Sequence, residues 1–289
     1  MITITADPVA TDAFELPQSV GLAAVPSAKP QDAMGPEPAE AEPALNPAPG
    51  WGEVVHEQLA AVGLSLRREG MVAGGLALLF TAFILYTQVT DGPAEIPITP
   101  FQGVATALMA LLIPMAVWKG EEPARRGYHH AMPVDRAQHA FARGGAGLAW
   151  TLAAVAAFFG WMLMLTLLTG GRSDAAEPWQ WLAPFAGATV MYLFGSALTL
   201  LTAHPWRWLG GGAVGFLFLN VLGAGDRTGP LSRLLREVMF GDFGVGRLIT
   251  GVSPPALSPG FGAWLTSVWI WLVAALAAFL FAAHRQPER

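Results

Sequence analysis

Residues 144–169 read GGAGLAWTLAAVAAFFGWMLMLTLLT, a run without one Asp, Glu, Lys, Arg or His. The hydrocarbon core of a bilayer is about 30 Å thick and takes about 20 helical residues to cross, so this stretch is long enough to span it. A surface helix of a soluble protein carries a polar face, and this one has none. Five further stretches share its character: 71–88, 101–118, 181–203, 208–224 and 261–283, again with no Asp, Glu, Lys, Arg or His in their interiors. The expected fold is all-α and polytopic, with six transmembrane helices over residues 70–284 and a short cytoplasmic end at 285–289.

Composition agrees. Of 289 residues, 53% are apolar and 13% charged, about half the charge that a soluble domain carries, and the mean hydropathy is +0.45. Eleven Trp against three Tyr suit a chain with interfacial anchors. There is no cysteine, which excludes disulfides, Cys-ligated zinc, iron–sulfur clusters and thiol catalysis.

The net charge of −5 is unevenly spread. Residues 1–50 hold seven acids and one base, and the rest of the chain is close to neutral. With nine of the 23 prolines, ending in PEPAEAEPALNPAPG, that tail is too polar and too broken to offset its ordering entropy. It is expected to be a disordered, uncleaved cytoplasmic segment, since a signal peptide needs a basic start and an unbroken apolar run. No basic patch of the kind that nucleic acid requires is present.

Between tail and first span, Trp51, Val54, Val55, Leu59, Val62 and Leu66 recur at helical spacing. This predicts an amphipathic helix over 51–69 lying in the membrane interface; packing on a soluble domain is the plainer alternative.

Orientation follows from Lys and Arg in the loops. With the N-terminus inside, the cytoplasmic side collects Arg67, Arg68, Lys119, Arg125, Arg126, Arg136, Arg143, Arg207, Arg285 and Arg289. The outside has Arg172, Arg227, Arg233, Arg236 and Arg247. Ten against five places both termini in the cytoplasm of an inner or plasma membrane. The external cluster lies in 231–251, where Leu231, Leu234, Leu235, Val238 and Met239 are helically spaced and Gly241, Gly244 and Gly246 interrupt the pattern. Two short helices are expected there, either re-entrant on the external side or lying flat on the outer leaflet.

The second cytoplasmic segment, KGEEPARRGYHHAMPVDRAQHAFARGG (119–145), holds a short helix over Glu121–His130. Pro133 disfavours helical geometry at Met132, and Asp135 with Gln138 is a capping-box-like start for the next helix. Such a piece projects into the cytosol and offers Arg125, Arg126, Tyr128 and His129 to a soluble partner.

This layout resembles the ABC-2 type permease subunits of ATP-binding-cassette exporters. The resemblance is carried by the Trp51–Glu69 helix, the Glu121–His130 segment followed by Met132-Pro133-Val134-Asp135-Arg136, and Pro230–Gly251, and it covers roughly 51–284. The acidic tail departs from it. It implies a permease half that dimerises with itself or with a second permease chain. A coupling helix then docks on a separate soluble ABC ATPase, which supplies energy for moving an amphipathic substrate. The alternative is a non-transporting membrane scaffold or anchoring subunit of a larger complex.

Several absences shape this reading. There is no Gly-x-x-x-x-Gly-Lys-Ser/Thr phosphate loop, no His-Glu-x-x-His and no Gly-x-Ser-x-Gly, so the chain is read as a non-enzyme without cofactor. Haem would need imidazoles inside the spans; the six histidines fall at their edges or on the interface helix, although His139 and His204 would be able to meet at a helix end. Proton relays use intramembrane acids or His, and none is present. The mild polarity that remains, Thr189, Tyr192, Ser196 and Thr199 on one face of the fourth span with Asn220 in the fifth, is the candidate substrate path. It reads equally as interhelical hydrogen bonding. Gly211 and Gly215 are a small-xxx-small pair suited to close helix packing.

Overall fold

The computed structural model describes residues 50–90, 99, 102–119, 136–172, 177–225, 229–230, 233–234, 237, 241, 244–251 and 260–285. Among these the regular structure is all helical. The long helices are α1 (Trp51–Thr90), α2 (Gly103–Val117), α3 (Arg136–Thr169), α4 (Ala183–Leu201), α5 (Pro205–Gly225) and α7 (Phe261–Arg285). A 3₁₀ turn at Pro178–Leu182 leads into α4, and a single short turn of helix, α6 (Val245–Thr250), precedes α7.

Four helical stretches, Trp51–Thr90, Gln138–Thr169, Pro178–Leu201 and Phe261–Arg285, are long and apolar enough to cross a membrane. Their outward faces are hydrocarbon. Leu78, Leu79, Phe83, Leu167, Trp269 and Val273 are all at least half exposed, a surface that water would drive to associate and lipid solvates. The chain is a membrane-embedded multi-pass protein.

The stretches expected as an interfacial helix and a first span lie on one uninterrupted helix: the forty residues of α1 extend about 60 Å. Gly70, Gly74 and Gly75 do not break it, because a backbone in lipid has only its own turn to bond with.

Packing fixes the direction of each helix. On α1 and α3 the contacts ascend together. Trp150 Nε1 donates to the Leu59 carbonyl at 3.0 Å, Trp161 Nε1 donates to Thr81 Oγ1 at 2.9 Å, and Ile84 packs with Met162 and Leu165. The two helices therefore run parallel. On α2 and α4 they also ascend together: a Cβ on Gly103 would stand 3.2 Å from Pro184, and one on Gly195 would stand 2.5 Å from the Leu111 carbonyl and 3.0 Å from Pro114. These are also parallel, and α2 and α4 form the closest helix pair because Gly195 lets the backbones touch.

Against α3 the order reverses. Tyr192 of α4 presses on Gly147, while Phe185 stacks on Phe159 at 6.2 Å. The path of α7 follows that of α4, with Trp264 beside Trp179 at 5.0 Å, Trp271 beside Phe194 at 6.1 Å, and Phe279 beside Phe141 at the start of α3. Thus α4 sits at the centre, touching α2, α3, α6 and α7, and its Ala188, Val190, Tyr192 and Ser196 are wholly buried.

Candidate functional site

The two ends of this bundle differ. At one, α2, α4 and α7 finish and α3 begins, and Arg143 joins them. Its Nε and Nη2 both donate to the Val117 carbonyl, at 2.9 and 2.6 Å, and its guanidinium lies 5.8 Å from the centre of the Trp118 ring. The last carbonyls of a helix have no partner in their own turn and carry the negative end of the dipole, so a forked cation is well matched to them. Arg143 was counted from sequence as an orienting charge. The structure adds that it ties the end of α2 to the first turns of α3, the two roots of residues 120–135.

Deeper along the same seam lies Tyr192. Its ring fills the space that a side chain on Gly147 would occupy. Its Oη has Ser196 Oγ as a polar neighbour and Arg143 as the nearby charge, and among the described residues neither hydroxyl makes a hydrogen bond to any other group. Two enclosed hydroxyls in an apolar bundle are costly.

The remaining residues of the candidate path separate. Thr189 Oγ1 donates to the Phe185 carbonyl at 2.9 Å, and Thr199 Oγ1 donates to the Gly195 and Ser196 carbonyls at 2.9 Å, so both are satisfied by their own helix and stay half-buried. Asn220 falls on the backbone of α5, and its side chain is outside the described residues. The structure brings together Tyr192 and Ser196, and gives the threonines a local role. Arg125, Arg126, Tyr128 and His129, with the Pro133–Asp135 turn, lie outside the described residues.

At the opposite end, α6 is seated between three helix starts. Leu248, Ile249 and Thr250 are buried, and so is Arg247, read from sequence as an outside loop charge. Gly251 caps α6 with φ +65°, the left-handed conformation that glycine adopts without strain. Gln180 Nε2 donates to the Gly251 carbonyl at 3.4 Å, and Trp264 Nε1 to the Leu248 carbonyl at 3.5 Å. A Cβ on Gly103 would stand 2.5 Å from the Ile249 carbonyl, and one on Gly187 3.1 Å from its Cα. Sequence periodicity found the short helix but not its seat, which depends on glycines in α2 and α4.

Among the described residues no three His, Asp or Glu side chains gather as metal ligands. The arrangement comprises a clamp at one end, a wedge at the other, and a polar seam between them. No family model, curated protein or solved structure matches the chain.

Proposed function

We propose that the chain is the permease half of an ABC-2 type exporter, crossing the membrane six times and moving an amphipathic substrate with energy from a separate ATPase. The observation that carries the reading is the direction of packing. Parallel α1 and α3 support a return across the bilayer between them, for which the apolar α2 is the available helix. Parallel α4 and α7 likewise support a recrossing within residues 202–260. The 21-residue α5, about 31 Å long, is the element able to do so. Two odd and two even helices thus support six crossings, with α6 as a re-entrant wedge between α5 and α7.

The clamp supplies the mechanical argument. Residues 120–135 spring from the end of α2 and the start of α3, which Arg143 holds together. A push on that segment is therefore delivered to α2 and α3 as a unit, and from them to Tyr192 on α4. With the positive-inside bias, this end faces the cytoplasm, where an ATPase would dock on Arg125, Arg126 and Tyr128.

Affinity purification in mild detergent tests the proposal. A soluble ATPase should co-elute, and the purified chain alone should hydrolyse no ATP. The Tyr128→Ala variant should insert normally and weaken association by about 1–3 kcal/mol, the range of an aromatic interface anchor. Robust hydrolysis by the isolated chain, after a contaminant control, would refute the assignment.

A further inference from the structure

The corner between α4 and α5, at the Arg143 end, is only three residues long. Thr202 leaves α4 with extended backbone (φ −122°, ψ 140°), its Oγ1 donating to the Leu198 carbonyl at 2.8 Å. The His204 carbonyl accepts the Arg207 N–H at 3.0 Å, and Pro205 opens α5. Beyond this turn α5 stands away from its neighbours. Among the described residues, no heavy atom other than those of the glycine's own chain neighbours and helix backbone comes within 4 Å of where a Cβ would sit on Gly210, Gly211, Gly212 or Gly215. Gly211 and Gly215, expected from sequence to admit a close helix, face open space among the described residues. A groove of about 880 Å³ results, more open than enclosed, with Thr202, His204, Arg207, Trp208, Gly211 and Gly212 along it.

We propose that this groove binds an anionic phospholipid, with the phosphate on Arg207 and His204 and an acyl chain along the glycine face of α5. The inference rests on α4 being a membrane span and is independent of transport. The end of a span lies where hydrocarbon meets headgroups, and exposed Trp206 and Trp208 suit that depth. Among the described residues, the groove is lined by a guanidinium and an imidazole and by no carboxylate. A guanidinium engages phosphate through two parallel N–H donors, and the first amides of α5 add a partial positive charge. The missing side chains of the glycines leave a smooth apolar channel continuous with the charged mouth. A second copy of the chain is the competing occupant, and the test below separates the two.

Native mass spectrometry of the full chain, released from detergent and titrated with phosphatidylglycerol or phosphatidylcholine, tests the site. Phosphatidylglycerol should be retained over phosphatidylcholine, and Arg207→Ala should weaken its retention about five- to tenfold, the worth of one basic contact near an anionic surface. Gly212→Leu, which fills the groove and leaves the charge intact, should also lose the lipid. Arg172→Ala, beyond the far end of α3, should behave as the parent. Glycerol phosphate, which has the headgroup chemistry without acyl chains, should not displace the lipid at equal concentration. Equal retention of the two lipids, unchanged retention in both groove variants, displacement by glycerol phosphate, or a lipid-free dimer that Gly212→Leu dissociates would each overturn the proposal. Elution of each variant at the parent volume checks that it is folded.

Discussion

Single side chains hold this bundle by reaching neighbours that only glycine can admit. Tyr192 lies where a Gly147 side chain would stand, so Gly147→Val must displace a wholly buried ring. Overfilling a packed site costs about 1–3 kcal/mol, and the variant should show a lowered midpoint in thermal unfolding monitored by size exclusion in detergent. Gly145, whose Cβ would meet nothing within 4 Å, is the control, and Gly145→Ala should unfold like the parent. The hydrogen bond from Trp161 to Thr81 makes a smaller claim. Trp161→Phe keeps most of the ring contact with Phe80 and removes the donor, so it should destabilise by about 0.5–1.5 kcal/mol; an unchanged midpoint would show that the bond adds nothing between α1 and α3.

Elements were more legible than their partners. The runs that read as spans from 144, 181 and 261 became helices because an apolar stretch in lipid must satisfy its backbone internally. By the same physics the amphipathic stretch at 51–69 runs without a break into the apolar stretch that follows it, and the glycines at 70, 74 and 75 leave α1 continuous. Polar contacts were hidden, since Arg143 and Val117 are 26 residues apart and no periodicity announces which carbonyl a guanidinium will find. Tyr192 and Ser196 were legible as a pair on one face. That they point into a closed seam depends on Gly147, whose lack of a side chain carries meaning only once α3 lies against α4. At this scale α6 is the element most open to test. Gly251→Ala forces a side chain into the left-handed region beside Trp179 and Ala183, at a cost of about 1 kcal/mol. Gln180→Ala removes the amide that holds the same carbonyl. Both should quicken proteolysis between α5 and α7 in reconstituted vesicles, and a digestion rate matching the parent's would mean that α6 is held by apolar contact alone.

For the whole molecule, the proposal of six crossings is what binds the observations together. With α1 and α3 parallel, α2 and α4 parallel, and α7 following α4, that proposal takes the chain back through α5. On it, the clamp, the seam and the wedge would fall at the two faces and the middle of one membrane domain. The absence of cysteine makes this directly measurable with an impermeant maleimide on intact cells. Single Ala203→Cys and Arg233→Cys substitutions lie on either side of α5. The account predicts that Arg233→Cys is labelled from outside and Ala203→Cys only after permeabilisation; labelling of both from the same side would contradict it.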